Sequence, residues 1–158
     1  MKADTQAITI DASLSKVFRF VSNPENLPHW ARAFCQAIRP DGDAWLVTSP
    51  QGEVRVRYRT AEALGVIDFH LSPAPGVEAL AASRVLPNGD GAAYVFTQFQ
   101  TPGMPDDVFT GQVHALREEL LILKALLEGR TVEAAPSCAP VACSGSQPGR
   151  FTRPATTS

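Results

Sequence analysis

The sequence lacks the features of several broad classes of protein. It has no apolar run of about 18 residues, the length that a membrane-spanning helix needs, and its first residues lead into a strand-like pattern without a signal-peptide core. Lysine and arginine number 14 against 16 acidic residues, so the clustered positive charge that binds nucleic-acid phosphates is missing. We therefore expect a cytoplasmic protein with no membrane span and no nucleic-acid partner.

The motifs of common enzyme and metal sites are also missing. The chain has no Gly-x-Ser-x-Gly elbow, no phosphate-binding loop and no dinucleotide fingerprint. The histidines and Cys35 are scattered without the close spacing of a zinc site, and Cys138 and Cys143 have no second pair to complete a finger. We expect no metal and no cofactor, and we interpret the three cysteines as thiols in a reducing compartment.

What the sequence does contain is a strongly patterned helix over residues 105–129. Its apolar side chains recur at steps of four and three, which places them on one face. Pro105 suits a first helical turn, and Gly129 can adopt the left-handed conformation that ends a helix. The buried face is predicted to contain Phe109, Val113, Leu116, Leu120, Leu123 and Leu127.

Upstream of this helix the sequence is mostly β-patterned. We predict a strand at residues 6–10, short helices at 14–21 and 24–30, and strands at 34–38, 44–48, 53–59, 65–71, 77–86 and 92–100. At 158 residues and 44% hydrophobic content, the chain suits one globular domain over residues 1–129. Residues 130–158, rich in Pro, Ser, Thr and Ala, are predicted to form a disordered tail.

Alternation along the strands predicts which side chains share a face. Tyr58 and its apolar neighbours alternate with an arginine stripe of Arg55, Arg57 and Arg59, and in the next strand Phe69 alternates with Asp68 and His70. If the arginines face water, the Tyr58 and Phe69 side chains face the helix. The last strand stays ambiguous, because Tyr94, Phe96 and Gln98 are as apolar a set as Val95, Thr97 and Phe99.

The order of elements predicts an α+β fold in which a curved antiparallel sheet of about six to seven strands wraps around the long C-terminal helix. Two short helices follow the first strand. Such a sheet leaves an apolar concavity wherever it does not meet the helix, and concavities of this kind are favoured ligand sites.

Several segments carry a family resemblance. Residues 8–13 read Ile-Thr-Ile-Asp-Ala-Ser, residues 17–18 read Val-Phe, and residues 23–30 read Asn-Pro-Glu-Asn-Leu-Pro-His-Trp. Residues 65–68, 84–85, 88–91 and 101–104 add to the pattern. Over about residues 5–129 the chain resembles START-like, polyketide cyclase/dehydrase-like proteins, grouped as SRPBCC. The resemblance implies a helix-grip fold with a pocket for lipids, polyketides, sterols or other apolar molecules, and in some members cyclisation, dehydration or hydrolysis.

Our leading hypothesis is a protein that binds a small apolar molecule, lipid-, polyketide- or aromatic-type, between the sheet and the helix. Trp30 is read either as core or as a pocket wall that orders a flat ligand. The predicted lining residues are Trp30, Tyr58, Phe69, Val113, Leu116 and Leu120.

Two other functions stay open. A polyketide-cyclase-type enzyme needs inward-facing acid/base groups, for which the candidates are Asp68, His70, Tyr58 and Arg57. An outer-face ion-pair ladder of Asp68 and His70 with Arg55 and Arg57 explains the same residues, and we prefer it. The third reading is an interaction module, as in superfamily members related to chaperone co-regulators, whose arginine face docks an acidic partner. A homodimer is compatible with each reading.

Overall fold

The sheet and the helix that the sequence predicts are both present. A computed structural model of the chain describes residues 1–130, so the predicted tail lies outside the described residues from residue 131 onward. The strands are β1 (Ala3–Ile10), β2 (Ala37–Asp41), β3 (Ala44–Ser49), β4 (Gly52–Ala61), β5 (Val66–Ala74), β6 (Val77–Asn88) and β7 (Gly91–Phe99). The helices are α1 (Leu14–Ser22), α2 (Leu27–Trp30) and α3 (Asp106–Leu127), with short 3₁₀ turns at Pro24–Asn26 and Glu62–Leu64.

The seven strands form one antiparallel sheet in the order β1-β7-β6-β5-β4-β3-β2. Every strand from β2 to β7 pairs with its neighbour in the chain, and β1 closes the other edge beside β7. The inner face of the sheet, which we define as the face toward α3, carries the buried side chains. The core contains Val56, Ile67, Phe69, Val85 and Tyr94 from the sheet and Leu116, Leu120 and Leu123 from α3. The predicted helix-grip fold is confirmed.

Polar contacts hold α3 against β1 along its length. Near its start, the Gln6 side-chain amide donates to the Val113 carbonyl at 2.9 Å. Near its end, Lys124 donates to the carbonyl of Thr9, and the Glu128 carboxylate accepts from the Asp11 N–H at 2.8 Å. The helix is therefore fixed against one edge of the sheet, and its apolar stripe is directed across the inner face.

The chain enters β2 later than the sequence predicts. The N–H groups of Phe34 and Cys35 both donate to the Ala31 carbonyl, at 3.1 and 2.7 Å, so the chain turns after α2 before it extends at Ala37. Cys35 therefore lies in this turn, where its side chain is buried, and not in a strand as predicted. Within residues 1–130, no helix is both long enough and apolar enough to cross a membrane.

Candidate functional site

One row of side chains crosses the inner face from β4 to β1. Cross-strand pairing joins Tyr58 to Phe69, Phe69 to Ala81, Ala81 to Gln98, and Gln98 to Asp4. Residues paired directly across antiparallel strands project on the same side of the sheet. The small Ala81 thus lies between an aromatic half of the row and a polar half, both of which are directed toward α3.

Aromatic rings continue from this row toward the next. The rings of Tyr58 and Phe69 meet edge to face with centroids 4.8 Å apart and an interplanar angle of 72°. Phe96 follows at 5.7 Å from Phe69, and Tyr94 lies 6.3 Å from Phe96. These separations are those of favourable aromatic pairs. Because Tyr94, Phe96 and Gln98 face inward, the structure settles the orientation of β7 that the sequence left ambiguous.

Polar atoms without partners are buried in the same core as these rings. Four side-chain atoms that contribute to this layer are shielded from solvent and make no hydrogen bond to the described residues: Trp30 Nε1, Tyr58 Oη, Tyr94 Oη and Gln98 Nε2. Leaving one such group unpaired costs about 1–3 kcal/mol. These atoms are therefore the features of this layer that most need an explanation.

Burial also shifts the acidity of the two tyrosines. Removal from water raises the pKa of Tyr58 far above its usual value, and the neighbouring Tyr94 and Cys35 raise it further. Burial likewise raises the pKa of Tyr94, and the nearby Ser83 hydroxyl acts in the opposite direction. The Tyr94 hydroxyl nevertheless makes no hydrogen bond of good geometry. The Ser83 hydroxyl donates to the Ile67 carbonyl instead. Both phenols are therefore neutral, and each keeps an O–H to donate.

Five of the six predicted lining residues belong to the core that contains this layer, and Val113 does not. Trp30 and Phe69 are buried, and Tyr58 is half-buried with its hydroxyl enclosed. On α3, Leu116 and Leu120 are buried, whereas Val113 is half-buried beside β1. That these side chains contact a ligand stays a prediction.

Sequence reasoning missed the ionisable residue of the interior, Glu119. Its side chain is only 6% exposed, and its Oε1 accepts a hydrogen bond from the Phe34 N–H at 2.9 Å. Burial raises the pKa of the Glu119 carboxyl to about 7, although the N–H groups of Phe34 and Ala33 act in the opposite direction. A signal was present, because position 119 lies three residues after Leu116 and four before Leu123, on the apolar stripe.

The four predicted acid/base candidates do not come together. Tyr58 faces inward, whereas Arg57, Asp68 and His70 lie on the opposite, outer face of the sheet. Asp68 pairs with Arg84 on β6 at 2.7 Å. The outward orientation of Asp68 and His70 is as predicted, but the ion-pair ladder with Arg55 and Arg57 does not form, because Asp68 pairs with Arg84 and the two arginines pair with Asp41 and Asp43.

Two arginines of the arginine stripe form ion pairs with aspartates at the β2–β3 turn. Arg55 contacts Asp41 and Asp43, each at 2.9 Å, and Arg57 contacts Asp43 at 3.2 Å. These exposed pairs contribute little to stability. They do neutralise much of the positive charge that was expected to attract an acidic partner.

Two hollows lie on the outer face. The smaller, about 60 Å³, lies between Arg57, His70 and Glu78, and the larger, an open groove of about 420 Å³, runs from Leu46 to the β5–β6 turn. Neither is lined by a predicted lining residue, and both mix acidic with basic side chains. In the part of the chain that the structure describes, no three His, Cys, Asp or Glu residues are grouped closely enough to hold a metal ion.

Comparison with known proteins identifies the fold. No family model matches the chain, and no curated protein matches it, but solved structures match it over most of its length. XoxI from Bacillus cereus aligns with a TM-score of 0.67 at 17% identity, over 80% of this chain and 96% of that one. The Aha1 dimer from Colwellia psychrerythraea aligns with a TM-score of 0.64 at 17% identity, over 81% and 97%.

A third match is part of a larger protein. The di-domain ARO/CYC protein BexL aligns with a TM-score of 0.61 at 21% identity, over 78% of this chain and 45% of that one. The three matches, all at 21% identity or less, show the fold alone, and it is the helix-grip arrangement that the resemblance to START-like (SRPBCC) proteins implied.

Proposed function

We propose that the protein binds a small, largely apolar molecule with oxygen acceptors in the layer between the inner face of the sheet and α3. The observation that carries the proposal is the set of buried, unpartnered polar atoms beside the aromatic rings. Trp30 Nε1 and Gln98 Nε2 are donors only, and a neutral tyrosine also donates. Carbonyl or phenol oxygens on a flat apolar ligand would satisfy them.

The absence of buried basic side chains in the described residues also indicates the charge of the ligand. Within residues 1–130, no lysine or arginine is among the buried residues, so a ligand with a buried anionic group would lack a counter-ion. An uncharged ligand avoids that cost, because burying an unpaired charge is far more expensive than burying a satisfied polar group. We expect a neutral molecule in which rings or short apolar chains carry a few oxygens.

The side chains of this layer are buried, Tyr94 and Leu120 almost completely, and neither hollow described above opens onto them. Binding in the layer therefore requires part of the wall to move. The helix-grip fold supports the proposal, because BexL, which shares that fold, is an ARO/CYC protein from a biosynthetic pathway. That role belongs to BexL, and for this chain a cyclase stays the alternative function.

Native mass spectrometry of freshly purified protein, followed by denaturing extraction, is the direct test. A neutral apolar molecule that leaves only on denaturation supports the proposal. For protein that purifies empty, the binding of a naphthalene-type fluorescent probe is measured instead.

Two neighbouring alanines on β6 make a matched pair for this experiment. Ala81 faces inward and is buried, whereas Ala82 lies on the outer face. Ala81→Val adds two methyl groups to the middle of the row and is expected to weaken probe binding at least tenfold. Ala82→Val makes the same chemical change on the outer face and should leave binding unaltered. Equal effects of the two variants on probe binding would show that the probe does not bind in the interior.

The other two functions have less support. An enzyme would have to work with Tyr58 and Glu119, because Asp68, His70 and Arg57 face outward. If the protein were an interaction module, its acidic partner would have to displace Asp41 and Asp43 from the arginine stripe. Oligomeric state stays a prediction, and analytical ultracentrifugation measures it.

A further inference from the structure

The segment between α2 and β2, residues 31–36, forms one wall of the interior, and we call it the α2–β2 connection. Ala31 and Cys35 are buried in the core, and Phe34 packs against the same core. The connection is a tight turn, because the N–H groups of Phe34 and Cys35 both return to Ala31. Its far end joins the sheet where Gln36 N–H donates to the Thr48 carbonyl at 2.9 Å.

Glu119 is the polar link between this wall and α3. Its Oε1 accepts a hydrogen bond from the Phe34 N–H at 2.9 Å. Among the described residues, this is the only hydrogen bond that joins α3 to the α2–β2 connection. The link therefore lies between the long helix and one wall of the interior.

No counter-ion neutralises the Glu119 carboxylate. Within residues 1–130, no lysine, arginine or histidine nitrogen lies within 4.0 Å of it. From the α2–β2 connection, Arg32 donates back to the His29 carbonyl, and the buried Cys35 thiol is neutral because burial raises its pKa to about 11.

The other elements around this carboxylate contribute no charge to it either. On the sheet, Tyr58 and Tyr94 are neutral phenols. On α3 itself, Arg117 and Glu118 are exposed on the other side of the helix. The closed wall thus buries an acid that accepts a hydrogen bond from a backbone N–H but has no opposite charge beside it.

We propose that Glu119 is a proton-sensitive latch: its neutral form keeps the α2–β2 connection closed against α3, and its ionisation favours opening of that wall. The direction follows from linkage. A carboxyl that binds its proton more tightly in the closed state than in an open, water-exposed state makes opening easier as pH rises. The pKa of about 7 in the closed state, against 4.5 for the group in water, corresponds to an opening constant about 70-fold larger at pH 8 than at pH 5.

Cys35 reports this opening, because its buried thiol lies next to Phe34. The test uses the full chain with Cys138→Ser and Cys143→Ser, which leaves Cys35 as the one remaining thiol of the three in the sequence. Labelling by a dithiodipyridine reagent is followed from pH 5 to pH 8 in this parent and with Glu119→Gln added. The ratio of the two rates cancels the intrinsic pH dependence of thiol chemistry.

The expected result is that the parent-to-Glu119→Gln ratio of labelling rates rises about 70-fold between pH 5 and pH 8. Glu118→Gln, which removes an exposed carboxylate from the same helix, should track the parent at every pH. A ratio that stays within twofold across the range overturns the latch.

Global unfolding would also expose Cys35, so it is measured separately. Amide exchange of Tyr94 and Leu123, both fully buried, gives the rate of global opening. Labelling faster than that exchange, and insensitive to low urea, is expected for a local opening. Labelling that follows core exchange in its rate and its urea dependence overturns the latch. This experiment uses no ligand, so its failure and the failure of the proposed binding function are distinguishable.

Discussion

The ring of Tyr58 packs edge-on against Phe69, its direct cross-strand partner, with ring centroids 4.8 Å apart. The ring position is well suited to packing, but the hydroxyl at its tip is buried without a partner. A phenylalanine would make the same aromatic contact without that cost. Packing of the fold therefore requires only the ring of residue 58, whereas the hydroxyl of Tyr58 would be required only by a ligand.

Tyr58→Phe is expected to raise the free energy of unfolding by about 1 kcal/mol, because it removes an unsatisfied buried hydroxyl. It should also weaken the binding of an oxygen-bearing apolar probe. Urea denaturation and fluorescence titration measure the two effects. As a packing control, Phe69→Leu should lose about 1–2 kcal/mol of stability. A loss of stability in Tyr58→Phe would mean that the hydroxyl has a partner in solution.

Glu119→Gln is expected to alter the pH dependence of stability. The pKa of this carboxyl is raised to about 7 in the folded protein, so the folded state holds the proton more tightly than the unfolded state. The stability it contributes is present below pH 4.5 and is lost as pH rises toward 7. Relative to Glu119→Gln, the wild-type protein should lose about 2–3 kcal/mol between pH 4.5 and pH 8.

Urea denaturation at pH 4.5, 6 and 8 measures this difference. Glu118→Gln is the matched control, because Glu118 is exposed one position earlier on the same helix. Parallel pH profiles for the wild type and Glu119→Gln would show that the Glu119 carboxyl titrates as it does in water.

Gly65→Ala is expected to destabilise the fold by more than about 2 kcal/mol. Gly65 has a φ of 63°, and a Cβ at that position would overlap the Val85 carbonyl oxygen, a backbone atom held within β6. Gly76 has a similar φ of 76° with open space around it, so Gly76→Ala should cost only about 1 kcal/mol. Thermal denaturation of both variants measures the difference, and equal losses would contradict the close approach of Gly65 to β6.

Asp68→Asn and His70→Gln test the outer face. The Asp68 carboxylate accepts from Arg84 at 2.7 Å and from the Ser83 N–H at 3.3 Å, so its neutralisation should cost about 1 kcal/mol. His70→Gln should change stability by less than about 0.5 kcal/mol. Neither variant should affect binding of the apolar probe. Loss of binding in a variant of unchanged stability would restore these residues as site candidates.

Local pattern accounts for much of what could be predicted. The stripe of α3 is visible in the sequence because a helix places residues three and four apart on one face, whatever surrounds it. The alternation in β4 separates Tyr58 from Arg57 equally well, because one set is apolar and the other charged. The strand β7 gave no such contrast, since Phe96 and Val95 suit a buried face equally. Pairing of β7 with both β6 and β1 places Phe96 inside.

The sequence by itself determined the sheet, the helix and the division of most strands into inner and outer faces, because these follow from the periodicity of neighbouring residues. Only the tertiary structure decided the state of Glu119. Its position on the apolar stripe is a local property, but its burial depends on the turn that contains Phe34, 85 positions earlier in the chain. A carboxylate on an exposed helix is hydrated by water. Glu119 becomes buried only because a distant turn covers it, and the Phe34 N–H of that turn donates a hydrogen bond to it.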